Sequence, residues 1–159
     1  MRSLDSWFDE YGESHQNPLN KLIHWICVPS IFFSIFALVA SIPNELLLQL
    51  FPESLHGIAH WGTVLLFFVL AFYYAHSIPM GIGMTLFSVV CYIGLYGLQL
   101  LPMSVWSMAL IIFAAAWVGQ FYGHSIEGKK PSFFKDLQFL LIGPAWLMGF
   151  LFRAMGVRY

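Results

Sequence analysis

The sequence predicts an all-α integral membrane bundle: four transmembrane helices and a C-terminal hydrophobic segment that is either re-entrant or a fifth span. Three observations carry that prediction. Of 159 residues, 59% are hydrophobic and only 9% charged, against about a quarter charged in soluble chains. Residues 54–126 hold no Asp, Glu, Lys or Arg across 73 positions. A hydrocarbon core about 30 Å thick takes about 20 apolar residues per helix, so a run of that length crosses more than once. The charges that remain are confined to the termini, to the surroundings of Glu45 and Glu53, and to 127–136. A net charge of -1 with no basic run offers nothing to nucleic acid. Cys27 and Cys91 sit in apolar runs outside any CxxC pair and read as reduced packing residues.

Residues 1–16 place Asp5, Asp9, Glu10 and Glu13 ahead of any long apolar run, unlike a cleaved signal peptide, so they are expected in the finished protein. Leu4, Trp7, Phe8 and Tyr11 follow the spacing of one helical face and predict a short helix at the membrane surface or against the bundle. Asn17-Pro18 reads as an N-cap followed by proline at the first helical position. Spans are then predicted over 17–41, 56–76, 80–101 and 103–124. Pro29 kinks or locally opens the first, while Ile42-Pro43-Asn44, Ser77-Ile78-Pro79 and Pro102 mark turns. The last segment, 136–153, is short and broken by Gly143-Pro144. Its re-entrant reading keeps Arg153 and Arg158 on the side the charge bias prefers. No repeat or linker divides the chain, so 1–159 is read as one membrane domain; a homo-oligomer stays open.

Parity decides which residues share a side. The starts of the first and third spans and the ends of the second and fourth lie together, which puts His15, His24, His76 and His124 on one face and His56 and His60 on the other. Arg2, Lys21, Lys129, Lys130 and Lys135 fall on the histidine-rich side, whereas the opposite loops carry no basic residue, so that face is expected to be cytoplasmic.

Ionisable groups at the edge of a bilayer are costly, which makes them functional candidates. Gln120, His124 and Glu127 form one continuous stripe along a helix. Imidazoles with a carboxylate suit iron or zinc, and a facial set with open positions suits oxygen-activating non-haem iron. The stripe supplies at most two ligands; His24 and His15, with His76 as a further candidate, lie at the same face and are the source of others. The plainer reading of any one such histidine is a polar residue snorkelling at the interface, and four on one face weigh against it. Glu53, His56 and His60 form a rival set at the other face, but the facing loops hold nothing to complete a coordination shell.

Two stretches then stand out together. Tyr11, His15, Asn17, Asn20 and His24 compose Tyr-x3-His-x-Asn-x2-Asn-x3-His, and Trp117, Gln120, His124, Glu127 and Pro131, after Lys130, compose Trp-x2-Gln-x3-His-x2-Glu-x3-Pro. This pair resembles the iron-dependent 2-hydroxy fatty acid dioxygenase family, named for the yeast endoplasmic-reticulum enzyme of phytosphingosine breakdown. The resemblance extends over the whole chain in span count and order, the middle spans matching only as hydrophobic helices.

The resemblance implies an enzyme that shortens a long-chain 2-hydroxy fatty acid by one carbon with Fe(II) and molecular oxygen. It assigns the metal to His15, His24 and His124. Glu127 fits as a fourth ligand or as a group orienting an imidazole, and Asn20 and Gln120 as amides behind the ligands or against the substrate. His76 joins on topology alone. The resulting expectation is a multi-pass protein of the bacterial inner membrane, or of the endoplasmic reticulum in a eukaryote, with its site facing the cytoplasm. The alternative is a non-enzymatic membrane protein that binds or transports a metal, or grips haem, with the same histidine face.

Overall fold

A computed structural model describes residues 3–128 and 139–159 of the chain. Among them are seven α-helices, one 3-10 turn and no strand: α1 (Leu4–Gly12), α2 (Pro18–Ala40), α3 (Glu45–Leu50), the 3-10 turn (Glu53–Leu55), α4 (Trp61–His76), α5 (Ile78–Gln99), α6 (Val105–Ile126) and α7 (Ile142–Ala154).

Local sequence accounts for the boundaries. Ser3 caps α1 by accepting from the Ser6 amide, and the helix buries Leu4, Phe8 and Tyr11, its apolar face, with Trp7 packed beside them. Asn17 Oδ1 accepts from the amides of Leu19 and Asn20, and Pro18 opens α2, where its missing N–H costs nothing. Pro29 lies inside α2, which nevertheless runs unbroken to Ala40. Ser77 ends α4 and caps α5 through its hydroxyl, so the connection between two antiparallel helices is a single residue.

Three helices, α2, α5 and α6, are long and apolar enough to cross a membrane, at 23, 22 and 22 residues. At about 1.5 Å per residue each exceeds about 30 Å. The remaining apolar helix, α4, has 16 residues and falls short of that length. The expected second span over 56–76 is therefore not one continuous helix. His60 ends the irregular stretch and caps α4, its Nδ1 accepting from the Thr63 amide at 3.3 Å, so the helix begins only at Trp61.

The centre of the bundle is α2, which packs against α6, α4, α5 and α7. One core joins Phe32, Phe36, Tyr73, Met84 and Ala109 to Phe8 of α1 and Trp146 of α7; a smaller one joins Cys27 and Ile31 of α2 to Ala116 and Trp117 of α6. The outer faces are as apolar as the core: Phe67, Phe68, Ile93 and Val118 are 66–69% exposed. Faces of that kind are stable against lipid and not against water. Of the last hydrophobic segment, residues 136–138 lie outside the described residues. After a turn over 139–141, whose Leu141 O accepts from Tyr73 Oη near the end of α4, α7 sits against Tyr11, α2 at Trp25 and Val28, and the start of α5 at Gly83.

Candidate metal centre

Where α2 begins and α6 ends, the two helices approach closely. A Cβ on Gly123 would lie 2.4 Å from Asn20 Oδ1 and 3.2 Å from His24 Cε1, and one on Gly119 would lie 2.5 Å from Cys27 Sγ. Only hydrogen atoms at 119 and 123 allow backbones this near, which is how small residues four apart act in apolar helices. His24 on α2 and His124 on α6 are thereby brought together, with ring centroids 5.0 Å apart. His15, in the turn between α1 and α2, closes the group from above, 4.2 Å from His24 and 5.3 Å from His124.

All three imidazoles are buried, and each offers a ligand nitrogen within 4.8 Å of the other two. Two of the rings have a fixed tautomer. His15 Nδ1 donates to Tyr11 O at 2.6 Å and His24 Nδ1 to Asn20 O at 2.8 Å; a carbonyl only accepts, so the proton sits on Nδ1 and Nε2 keeps its lone pair. His15 Nε2 is buried without a hydrogen-bond partner among the described residues. Burial holds the His15 imidazole down to about 4, with the neighbouring His124 adding to the effect, while its bond to Tyr11 opposes it. At neutral pH that ring is uncharged, as a metal ligand must be. Tyr11 stacks on it at 4.2 Å, and Trp146 of α7 lies 5.5 Å away, so aromatic walls restrict its tilt.

Glu127, the residue that ends α6, faces the chain rather than the imidazoles. Its Oε1 accepts from the Gln16 amide at 2.8 Å, and its Oε2 accepts from the Asn17 amide at 2.9 Å and from Asn20 Nδ2 at 2.9 Å. Asn20 Nδ2 also donates to Ser14 O. Burial alone would raise the Glu127 carboxyl, but these donors and nearby His15 hold it below the ordinary carboxylate value. The carboxylate thus ties the turn carrying His15 to the end of the helix carrying His124.

Gln120 lies one turn before His124 and is buried. His76 stands apart from the three: its Nδ1 donates to Phe72 O within α4, and it borders a separate surface pocket with Ser3, Asp5 and Tyr159. Among the described residues, Glu53, His56 and His60 do not converge as ligands; His60 caps α4, and His56 Nε2 donates to Phe51 O. Lys129, Lys130, Pro131 and Lys135 lie outside the described residues. Sequence reasoning does not single out Gly119, Gly123 or Trp146. The first two carry a readable signal, the small-x3-small pair; Trp146 carries none beyond its apolar surroundings.

The three nitrogens fit a single metal ion by their chemistry and their distances. Imidazole nitrogens suit zinc, copper, nickel or iron and are a poor match to magnesium or calcium. A family model described as 2-hydroxy-palmitic acid dioxygenase Mpo1-like matches residues 1–155 of the chain. No curated protein and no solved structure matches it.

Proposed function

The chain belongs to the 2-hydroxy-palmitic acid dioxygenase Mpo1-like family, and on that premise we propose that it is a membrane dioxygenase of long-chain 2-hydroxy fatty acids. It works with Fe(II) held by His15, His24 and His124 and shortens its substrate by one carbon. The observation that carries the reading is the meeting of three buried imidazoles, from three separate segments of the chain, within one ligand sphere. Iron bound there supplies the activation of molecular oxygen. The chain supplies the rest. Tyr11 O and Asn20 O fix two tautomers so that Nε2 carries the lone pair, Tyr11 and Trp146 hold the His15 ring, and Glu127 fastens the turn that delivers it. His15, His24 and His124 would hold the ion as three protein ligands, while the apolar helices around the site suit the substrate's hydrocarbon chain.

We place α2, α4, α5 and α6 across the bilayer, with α4 reaching the interface through the capped turn at His60. Because most neighbours of α7, among them Tyr11, Trp25 and Gly83, lie toward the histidine-bearing end, α7 is read as returning to that face rather than crossing. The absence of basic residues from the opposite loops supports a site on the cytoplasmic side.

The non-enzymatic readings fare less well. A porphyrin between two of these rings needs more space than centroid separations of 4.2–5.3 Å allow. An ion path needs polar groups in mid-membrane, yet the buried Ser34 and Ser88 each spend their hydroxyl on a carbonyl of their own helix.

Purified protein supplied with Fe(II), oxygen and 2-hydroxyhexadecanoate should yield the fifteen-carbon acid; an unchanged chain length on mass spectrometry overturns the proposal. Glu127→Gln tests the fastening role. A carboxylate accepts on both oxygens, whereas a glutamine turns an NH2 donor toward the N–H groups of Asn17 or Asn20. Iron affinity should fall about 10- to 100-fold without vanishing. The carboxyl titrates below its unfolded value, so its contribution to stability is present at neutral pH and lost as pH falls through the lowered value. A thermal-melting series on the metal-free protein should show a smaller acid loss for the glutamine variant than for the natural chain, the remainder coming from the buried His15 imidazole in both.

A further inference from the structure

Behind the histidines, one helical turn deeper into the bundle, lies a cavity of about 20 Å³ bounded by Val28 and Ile31 of α2, Trp117 and Gln120 of α6, and Phe139 and Leu140 ahead of α7. That is room for about one water-sized group. Gln120 is 5% exposed, and its Oε1 has no hydrogen-bond partner among the described residues. A buried amide oxygen left without a donor is unfavourable, and a fold keeps one where something else supplies the donor. The amide of Asn20 on α2 already donates to Glu127 and Ser14. Apart from Gln120, only Tyr11 and the indole of Trp117 bring polar side-chain atoms to this wall among the described residues, so the lining around Oε1 is mostly apolar.

Resting on the dioxygenase reading above, we infer that Gln120 recognises the 2-hydroxyl of the substrate and makes the site selective for hydroxylated over plain fatty acids. A hydroxyl matches the cavity in size and in character: one O–H for Oε1, in a pocket whose other walls are the apolar side chains of Val28 and Ile31 and the ring of Trp117. A site built around a substrate hydroxyl rejects the analogue that lacks it, because its own polar atom is then buried unpaired. A plain fatty acid leaves Oε1 in that condition.

The test compares 2-hydroxyhexadecanoate and hexadecanoate as displacers of a fluorescent fatty acid from the full-length protein in nanodiscs, for the natural chain and for Gln120→Leu, with iron content measured alongside. The natural chain should prefer the hydroxy acid by roughly 10-fold or more. Gln120→Leu should lose that preference, bind hexadecanoate as before, retain iron and melt no lower, since leucine fills the same space without a buried polar atom. A leucine variant that keeps the preference overturns the assignment. So does one that melts well below the natural chain, which means Gln120 anchors a structural water. If the natural chain binds neither acid, the substrate class itself is wrong and both proposals fall.

Discussion

Replacing His124 with alanine is expected to strip the purified protein of iron and abolish its activity. The ring is one of three that share a buried ligand sphere, and an open iron site of three protein nitrogens has none to spare. Removing it leaves His15 and His24 as the only imidazoles in a space that water then enters. His15→Ala and His24→Ala should do the same, each bringing iron per chain, measured by plasma emission spectrometry, from near one to background. His76→Ala should keep its iron, because that side chain serves a different pocket. His60→Ala should also keep it while melting lower, since losing an N-cap costs about 1 kcal/mol. Iron that survives His124→Ala but is lost with His60→Ala would place the site at the wrong end of the bundle.

How far sequence alone reaches can be traced through these same residues. A bilayer leaves a backbone little choice but helix, so α2, α5 and α6 are legible from apolar length. Helical spacing and parity bring His15, His24 and His124 to one end, and a motif ties the three together. His76 satisfies the same parity and still lies apart. Parity fixes which end of the bundle a residue occupies, not which neighbour it faces: α4 packs on α2 and α5, whereas the imidazoles meet where α2 packs on α6. Whether Glu127 binds a metal or orients its surroundings is illegible in the sequence for a related reason. Its partners are mostly backbone N–H groups of Gln16 and Asn17, and an amide looks the same whatever side chain it carries. The start of α4 escapes sequence reading because His60 acts as a helix cap, a position usually held by Ser, Thr, Asn or Asp.

The same close approach of α2 and α6 predicts that Gly123→Ala damages the protein far more than one methyl group suggests. The added carbon would sit 2.4 Å from Asn20 Oδ1 and within 3.2 Å of His24, well inside van der Waals contact. Asn20 has little freedom to move, because its Nδ2 is held by Glu127 and Ser14 and its backbone carbonyl receives His24 Nδ1. The helices must therefore separate, at a cost of about 1–3 kcal/mol for overpacking, and His24 is carried away from His124 as they do. Iron retention should drop together with the melting temperature. Gly119→Ala should be milder, since the obstacle there is the Cys27 thiol, which turns aside by rotating about one bond. Gly97, on the exposed side of α5 with open space where a side chain would start, is the control: alanine there should hold iron and melt at or above the natural chain, helix propensity favouring it by about 1 kcal/mol. Full iron occupancy in Gly123→Ala would mean that the histidines come together without this helix contact, and the close approach of α2 and α6 could no longer be what builds the site.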